Sequence, residues 1–417
     1  MKQIRFTLRT LAKTPMLALV VVLSLGLGIG ANTAIFSLLH QIILRSLPVD
    51  RPEELVLLNS PGEFKSGRSS TDNSGGMDSI FSYRIFRELE KRPDGVTAVA
   101  GFRDIGANVR FENQTVNASA MVVSGSYFPV LGTRPLVGRL ISPQDDVHGA
   151  GNAVAVLGYG YWKDRLGSRR EVLNQPIYVN SQAFTVVGVA PMGFTGTTPG
   201  QAPDVFVPMS FKPRLTPGWD GTDRYDDYWV YLFARLKPGV ARAQAETALN
   251  SVYAGLVEEQ AKTIRGRDAA YIQRFRQARL TLREGKQGQS SMRDESRTPL
   301  YILMAATGLV LLIAMANAAN LLLARSAQRR RELAIRTALG AGRRDIMGQL
   351  LTEALLLSAG GGLAGLVLAS WTLNLLLAHL GGDEPIYFLS ARLEGPILLF
   401  GLGISALTGL LFGLYPA

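Results

Sequence analysis

The histidines are the first side chains to test for chemistry, because imidazole is a common general base and a common metal ligand. The sequence has only three, and one of them, His148, closely follows two carboxylates, Asp145 and Asp146. A zinc site could be built only from these three residues. The stretch 143–149 opens with proline and closes with glycine, which is more typical of a solvated turn. We therefore predict no metal site.

A second group of acids and aromatic rings lies in residues 219–229. It could present carboxylates and ring faces to a ligand, but it lacks the spacing of a calcium-binding loop. A polar loop leading into a buried strand explains the same residues. The sequence contains no G-x-S-x-G or H-E-x-x-H pattern and no cysteine. We therefore expect no catalytic residue in this chain.

Two glycine-containing stretches resemble nucleotide-binding motifs only in part. Gly285-Lys286 is followed by glutamine and lacks the upstream glycine of a phosphate-binding loop. Residues 26–31 fit the dinucleotide fingerprint, but they lie in a charge-free run and do not follow a strand. We therefore predict no cofactor. In a membrane helix, glycines four residues apart allow another helix to approach closely, and this packing role is predicted for Gly26, Gly30, Gly361, Gly365, Gly409 and Gly413.

Arginine dominates residues 325–345, where the only acids are Glu332 and Asp345. Such a segment could bind nucleic acid, but its position indicates another role. It separates two runs without acidic or basic side chains, 300–324 and 354–378, and each run exceeds the roughly 20 residues that cross a bilayer. A second basic cluster precedes the first apolar run. The net charge of +11 therefore fits the positive-inside rule, and we expect no nucleic-acid partner.

The apolar runs predict four transmembrane α-helices. They lie in residues 14–44, 299–324, 354–378 and 396–417. The run 14–44 is too long for a cleaved signal peptide, and residues 1–13 carry basic side chains at a helical spacing that suits contact with membrane lipid. The charge rule then places residues 1–13 and the connector 325–353 in the cytoplasm, and residues 45–298 and the short loop 379–395 outside.

The external segment 45–298 alternates short β-rich runs with turns and a few helical patterns, which predicts a large α+β domain inserted between the first and second helices. Residues 290–298 are predicted to lead as a helical stalk into the second span. Amides are costly in lipid, so Asn317, Asn320 and Asn374 are expected to face other helices. The predicted strands are 55–58, 96–102, 108–111, 116–124, 153–157, 176–179, 184–189, 228–236 and 279–282, and the predicted helices are 81–91 and 240–260.

Residues 316–325 (ANAANLLLAR) and 329–341 (RRRELAIRTALGA) resemble the permease core of the FtsX/MacB-type ABC transporters. The external segment is similar to their periplasmic core domain in four short motifs, 126–132 (SYFPVLG), 138–139 (GR), 184–194 (FTVVGVAPMGF) and 235–240 (RLKPGV). The motifs follow the family's order across nearly the whole chain. The sequence is most similar to one half of the orphan, tandem-duplicated permeases, and we expect a truncated or split product.

The resemblance implies a permease subunit of an ABC-type transporter in the bacterial inner membrane, with residues 45–298 in the periplasm. Its work would be efflux or mechanotransmission, the coupling of ATP use to movement of the external domain. It implies that two such units pair, as a homodimer or as paired halves, and that a separate cytoplasmic ABC ATPase carries out any ATP hydrolysis. Carried over by position, the ATPase-coupling residues are Arg329, Arg330, Arg331, Glu332, Arg336, Leu339 and Gly340.

The pattern of the connector alone leaves a second interpretation open. If residues 329–339 are helical, Ile335, Leu339, Gly342 and Ile346 form one apolar stripe with the arginines beside it. That stripe suits contact with anionic lipid as well as docking of a partner. The alternative is a non-transporting membrane scaffold or sensor whose periplasmic domain binds an envelope partner. A membrane-bound hydrolase would need a nucleophile and a base that the sequence does not offer together.

Overall fold

The computed structural model describes residue 7 and residues 14–62, 65–328, 343–380 and 393–414. The chain forms two compact units. One comprises Met1–Leu44 and Glu295–Ala417, and the other comprises Arg45–Asp294. The first contains the apolar helices, which we call the membrane unit, and the second is the external domain.

The described helices and strands follow one another along the chain as follows. The helices are α1 (Pro15–Leu39), α2 (Tyr83–Lys91), α3 (Tyr127–Leu131), α4 (Lys212–Leu215), α5 (Arg242–Thr263), α6 (Ala269–Arg276), α7 (Ser291–Gln328), α8 (Arg343–Leu380) and α9 (Gly395–Leu414). The strands are β1 (Leu55–Asn59), β2 (Ile80–Ser82), β3 (Val96–Phe111), β4 (Gln114–Val123), β5 (Val137–Gly138), β6 (Val154–Leu157), β7 (Pro176–Val179), β8 (Gln182–Val189), β9 (Val205–Pro208), β10 (Tyr228–Leu236) and β11 (Thr281–Glu284).

Four of the described helices are long and apolar enough to cross a membrane. Their candidate spans are Pro15–Leu44, Ser291–Ala324, Met347–Leu377 and Gly395–Leu414. The first begins with Pro15 in its first turn, where the missing N–H of proline costs no hydrogen bond. Helix α7 continues through Pro299 from the predicted stalk into the predicted second span. The predicted membrane architecture is confirmed, and the stalk and second span are one helix.

The external domain is built on one mixed sheet, and the α+β prediction is confirmed. The strands run in the order β11-β1-β10-β3-β4-β9-β6-β8-β5, while β2 pairs with β10 and β7 bridges β3 and β8. Successive side chains of a strand point to opposite faces. Leu55 and Leu57 therefore pack into one apolar cluster, and Val56 and Leu58 pack into the other. Both faces of the central strands are buried, which ties this sheet firmly to the helices that cover it.

Strand β3 differs from the sequence prediction. Residues 96–102 and 108–111 were expected to be separate strands, because polar residues and Gly106 interrupt the apolar pattern between them. In the structure they form one strand of 16 residues. The pairing of β3 with β4 is unbroken from Phe102 with Val123 to Phe111 with Gln114. Backbone hydrogen bonds to β4 therefore continue the strand where its side chains do not alternate.

Candidate functional site

The predicted coupling residues between 329 and 340 lie outside the described residues, so their role stays a prediction. The described residues include the contacts among the membrane helices and the two segments that connect those helices to the external domain.

Helices α1 and α8 pack through facing pairs of glycines. A Cβ atom added to Gly30 would lie 2.9 Å from the carbonyl oxygen of Gly365, and one added to Gly26 would lie 3.1 Å from the Cβ of Ala364. In the other direction, a Cβ on Gly361 would lie 2.8 Å from the Cβ of Leu25. Real Cβ atoms essentially never approach other atoms closer than 3.0 Å. The backbones of these two helices are therefore as close as their glycines allow.

Helix α1 also contacts α7 and α9, by different means. Asn32 donates from Nδ2 to the carbonyl oxygen of Thr307 at 2.8 Å, and Thr307 donates from Oγ1 back to Asn32 Oδ1 at 3.2 Å. The ring of Phe36 stacks on that of Phe400 in α9, with centroids 4.0 Å apart. An amide without a partner is costly in lipid, so the reciprocal bonds to Thr307 fix where α7 lies against α1. Helix α1 is the hub of the bundle.

Helices α8 and α9 are joined by two serines and two further glycines. Ser405 donates from Oγ to the carbonyl oxygen of Ser358 at 2.8 Å, and Ser358 donates back to the carbonyl oxygen of Ser405. A Cβ on Gly413 would lie 2.7 Å from the Cβ of Ala354, and one on Gly409 would lie 3.0 Å from the side chain of Leu355. Each of the six glycines singled out in the sequence therefore lies against a neighbouring helix.

Helix α7 is the least covered of the four membrane helices. Only 17% of its most apolar window is buried, against 39% or more for the other three. Asn317, Asn320 and Asn374, which were expected to face other helices, are exposed in the single chain, so that expectation stays a prediction. Asn374 donates to the carbonyl oxygen of Ser370 within its own helix. Sequence position alone could not reveal which face of a membrane helix is covered.

In the external domain, Arg235 holds the segment that follows α1. It is only 7% exposed, and its guanidinium donates to the carbonyl oxygens of Val130, Arg51 and Asp50 at 2.7, 2.9 and 2.6 Å. It also pairs with Glu54 at 3.1 Å. The planar five-donor group of arginine suits several fixed acceptors at once. Arg235 thus ties residues 50–54 to strand β10 and to helix α3.

The SYFPVLG motif supplies the other half of this anchor. Gly132 ends α3 with a φ of 65°, and a Cβ at this position would lie 2.7 Å from the Cβ of Asp50. Glycine adopts this left-handed conformation without a steric penalty. The N–H of Asp50 donates to the carbonyl oxygen of Leu131 at 3.2 Å. The glycine therefore both ends the helix and makes room for the connecting segment.

The segment that leads into α7 is held by two loops. The N–H of Gln289 donates to the carbonyl oxygen of Thr197 at 2.9 Å, and Ser290 donates from Oγ to the carbonyl oxygen of Pro199 at 2.8 Å. The N–H of Ser291 donates to the carbonyl oxygen of Asn73 at 2.9 Å. The two connecting segments also touch each other, since the N–H of Leu47 donates to the carbonyl oxygen of Lys286 at 2.8 Å.

The stretch 143–149 around His148 is a largely exposed turn, as the sequence suggested, but it contains two carboxylates that are not solvated. Asp145 and Asp146 are both buried. Asp145 accepts two hydrogen bonds from Arg139, at 2.7 and 3.0 Å. Burial alone would raise the pKa of the Asp145 carboxyl, but the bonds from Arg139, Ser142 and Asn152 outweigh it and lower that pKa to about 2. Asp145 therefore serves as an ionised structural anchor.

Asp146 behaves in the opposite way. Burial raises the pKa of its carboxyl to about 6, although it accepts hydrogen bonds from the N–H groups of Ser210 and Gly125. His148 is exposed and packs beside Tyr83 with ring centroids 5.7 Å apart. Within residues 14–62, 65–328, 343–380 and 393–414, no group of three or more His, Cys, Asp or Glu side chains could hold a metal ion.

The acidic and aromatic stretch 219–229 encloses a buried lysine. Lys212 lies over the rings of Trp219 and Trp229, 4.9 and 4.6 Å from their centroids. It donates from Nζ to the carbonyl oxygens of Trp219 and Asp220 at 2.6 and 2.7 Å. Burial lowers the pKa of Lys212 to about 8. The stretch is a closed loop around its own cation, in agreement with the predicted polar loop before a buried strand.

Several polar residues with structural roles were not predicted from the sequence. Asn32 lies in a charge-free run, and an amide in such a run is a signal that could have been used. The paired serines of α8 and α9 give a weaker signal of the same kind. Arg235 gave no such sequence signal beyond its place in a family motif, because its burial depends on residues more than 100 positions away. Arg103 is similar, since it is buried and binds the loop around residue 70.

Comparisons with known proteins match two family models. Residues 18–252 match the MacB-like periplasmic core domain, and residues 304–417 match the FtsX-like permease C-terminal domain. The first model alone covers more than half of the chain. The two matches follow each other in the order that the four membrane helices and the inserted domain require.

The similar curated proteins are longer than this chain. The macrolide export ATP-binding/permease protein MacB of Bdellovibrio bacteriovorus is 24% identical over 358 residues, which are 84% of this chain and 50% of that protein. The pyoverdine export ATP-binding/permease protein PvdT of Pseudomonas syringae pv. tomato is 28% identical over 316 residues, 75% of this chain and 42% of that protein. The chain thus spans about half the length of these relatives.

Solved external domains of similar proteins give weaker matches. The periplasmic region of MacB from Actinobacillus actinomycetemcomitans aligns with a TM-score of 0.39 and 14% identity, over 60% of this chain and 94% of that one. The extracellular domain of the noncanonic ABC-type transporter YknZ from Gram-positive bacteria aligns with a TM-score of 0.37 and 13% identity, over 55% of this chain and 99% of that one.

Proposed function

We propose, since the chain belongs to the FtsX/MacB-like family of ABC transporter permeases, that it couples a separate cytoplasmic ATPase to movement of its external domain. The similar relatives carry ATP-binding and permease functions in one protein by name, and this sequence has no phosphate-binding loop. We propose that the ATPase is a second chain. The work would be efflux or mechanotransmission at the bacterial inner membrane, with the external domain in the periplasm.

The observation that carries this proposal is the position of α1. It packs against α7, α8 and α9 within the membrane unit, and the segment that follows it is bound by the buried Arg235 in the external domain. A tilt of α1 cannot be absorbed by a loose linker at residues 50–54, because that segment is hydrogen-bonded to β10 and α3. Movement of α1 would therefore pull on the central sheet.

The ATPase would bind the cytoplasmic connector at Arg329, Arg330, Arg331, Glu332, Arg336, Leu339 and Gly340. Four of these residues are arginines, and a helix over 329–339 would place Leu339 on an apolar stripe with Ile335. Positive charge beside an apolar stripe would suit an acidic docking groove on a partner. The support for this step is the family's motif and the sequence pattern. Lipid contact by the same residues is the competing role.

Reversing charge in the connector is expected to release the ATPase. The double variant Arg330→Glu and Arg336→Glu should retain about ten-fold less ATPase than the unaltered chain, because like charges across an interface repel and each lost pair weakens binding. The measurement is the ATP hydrolysis that co-purifies with the tagged chain in detergent.

The matched control carries the same change of charge on the external domain, Arg170→Glu and Arg265→Glu, at two exposed arginines. The control should keep full ATPase activity. Equal retention by the connector variant and the control would contradict the coupling role and favour the scaffold or sensor.

A second permease unit would cover α7. Its exposed face includes Leu309 at 62% and Ile313 at 63%, followed along the helix by Asn317 and Asn320. Hydrogen bonds between helices satisfy such amides in lipid. An apolar groove of about 470 Å³ runs beside them between α7 and α9, and it is lined by Asn320, Met315 and Phe412 among others. We therefore place the contact with the second unit on α7.

Pairing through α7 predicts a cross-link between two copies. The natural sequence has no cysteine, so Asn317→Cys introduces the only thiol of each chain. Mild oxidation in membranes should give a covalent dimer in most molecules. The control is Leu363→Cys on α8, which is 69% exposed and should stay monomeric. Equal yields from the two variants, or none from Asn317→Cys, would contradict pairing through α7.

A further inference from the structure

Residues 69–75, which we call the strap, lie across the sheet of the external domain and reach the start of α7. At one end, the N–H of Ser70 donates to the carbonyl oxygen of Tyr228 at 3.0 Å. At the other, the carbonyl oxygen of Asn73 accepts from both the N–H and the Oγ of Ser291, at 2.9 and 3.1 Å. The strap thus connects the central strand β10 to the first residue of α7.

The strap is held from the sheet by a buried arginine. Arg103 of β3 donates to the carbonyl oxygens of Ser70 and Thr71 at 2.7 and 3.0 Å. Its Nε lies 3.2 Å from the Asp72 carboxylate, and both side chains are largely buried. Charge-assisted hydrogen bonds of this kind are stronger than neutral ones. Arg103 is therefore the main restraint on the first half of the strap.

Tyr231 and Thr198 restrain the second half. Tyr231 Oη accepts from the N–H of Asp72 at 2.9 Å and donates to the carbonyl oxygen of Gly75 at 2.9 Å. Ser74 and Thr198 share a hydrogen bond between their hydroxyls at 2.9 Å, and both are buried. Thr198 belongs to the loop that also binds Gln289 and Ser290. The strap and this loop therefore hold the start of α7 from two sides.

One partly buried acid in this network, Asp104, lies beside a second acid, Asp72. Asp104 follows Arg103 in β3, and its N–H donates to Asp72 Oδ2 at 3.2 Å. Burial raises the pKa of the Asp104 carboxyl to about 7, a hydrogen bond from Ser119 opposes that shift, and the Asp72 carboxylate adds to it. The charged or titratable groups around Asp104 are Asp72, Arg103, Tyr127 and, through Ser119, Asp204. Tyr231 acts on Asp72 and Arg103.

We propose that the strap is a proton-controlled latch on the segment that enters α7, closed while Asp104 carries a proton. With Asp104 neutral, the Asp72 carboxylate is balanced by Arg103. When Asp104 loses its proton, a second negative charge stands beside the Asp72 carboxylate, which alone is paired with Arg103, and repulsion between the two carboxylates disfavours the closed strap. The latch would set how firmly movement of α7 reaches the sheet, and it would respond to the pH outside the cytoplasm.

The pH window follows from the direction of the shift. An open strap exposes Asp104 to water, where its pKa is about 4. The closed strap therefore binds the proton more tightly than the open strap does. The resulting stabilisation of the closed strap is complete below about pH 4. This stabilisation is lost as the pH rises from about 4 to about 7, the pKa of Asp104 in the closed strap. Above that pH both states have lost the proton, so the opening of the strap no longer depends on pH.

Amide hydrogen exchange of the full chain in detergent at pH 5, 6, 7 and 8 tests the latch, after correction for the intrinsic pH dependence of exchange. Protection of residues 72–75 and of Ser291 should fall by up to about ten-fold for each pH unit between 5 and 7, the slope of one proton. It should be level between 7 and 8. Strand β10 serves as the internal reference, and its protection should not follow this slope.

Asp104→Asn should remove the slope, because asparagine cannot lose a proton. The matched control Asp94→Asn, in an exposed turn, should keep it. Ser119→Ala keeps the Asp104 carboxyl but removes the hydrogen bond from Ser119 that stabilises the charged carboxylate. Protection should therefore become independent of pH only at a higher pH than in the wild type. The latch would be overturned if protection of the wild-type strap did not fall between pH 5 and 7, or if that fall persisted in Asp104→Asn. It would also be overturned if protection in Ser119→Ala became level at the same pH as in the wild type. The ATPase is not needed, so this test is independent of the proposed coupling.

Discussion

Replacing Arg235 with alanine is expected to lower the unfolding free energy of the external domain by about 3–5 kcal/mol, the usual cost of removing one partner from a buried ion pair. Three carbonyl oxygens and the Glu54 carboxylate lose their donor at once. Water can enter only part of the space that the guanidinium leaves, because Val130, a residue of α3, belongs to a buried apolar cluster.

Urea unfolding of the full chain in detergent, followed by tryptophan fluorescence, measures this effect. Three of the four tryptophans, Trp162, Trp219 and Trp229, lie in the external domain. Arg242→Ala is the matched control, because Arg242 is about half exposed and its nearest carboxylate oxygen, on Glu284, is 3.8 Å away. Such exposed pairs contribute about 0–1 kcal/mol. An Arg235→Ala loss no larger than that of the control would contradict the role of Arg235 as the anchor.

The Arg235→Lys variant separates charge from shape. Lysine keeps the positive charge but has a single compact donor group instead of a planar fork. We expect it to recover less than half of the stability that alanine loses. Full recovery by lysine would mean that the charge alone, and not the simultaneous binding of three carbonyl oxygens, holds residues 50–54.

Leucine at Gly365 is expected to separate α1 from α8. Even a Cβ at this position would lie 2.9 Å from the backbone nitrogen of Gly30 and 3.0 Å from the carbonyl oxygen of Gly26. These are backbone atoms, so no side chain can rotate away and the helices must move apart. Overpacking in a well-packed interior costs about 1–3 kcal/mol, and here it also removes the close contacts on which helix association in lipid depends.

The thermal stability of the purified chain in detergent measures this second effect. Gly403→Leu on α9 is the matched control, because a Cβ at Gly403 meets nothing within 4 Å. The expected result is a clear loss of thermal stability or of folded yield for Gly365→Leu, and wild-type behaviour for Gly403→Leu. Equal stability of the two variants would contradict the glycine contact between α1 and α8.

The membrane architecture could be predicted from the sequence because the bilayer imposes one simple requirement, a long apolar helix. The glycine pairs were visible for the same reason, since small residues in such helices have few other uses. Which glycines face each other was not predictable. The pairing of Gly26 and Gly30 with Gly361 and Gly365 depends on residues more than 300 positions apart.

The external domain was harder to predict in its polar details. Asp145 and Asp146 look like turn residues, and their burial is decided by Arg139 and by the distant N–H groups of Gly125 and Ser210. The course of β3 past Gly106 is set by its long pairing with β4 and not by its own pattern. In both cases tertiary contacts outweigh the local sequence signal.

The most direct test of the coupling proposal is a distance measured between two copies of the external domain. Asn113→Cys places one spin label per chain at an exposed position in the β3–β4 turn, and the natural sequence has no cysteine to compete. In the complex purified with its ATPase, trapping with ATP and vanadate should shift the distance between the labels by more than the width of its nucleotide-free distribution. The account is contradicted if that distance stays the same while the complex hydrolyses ATP.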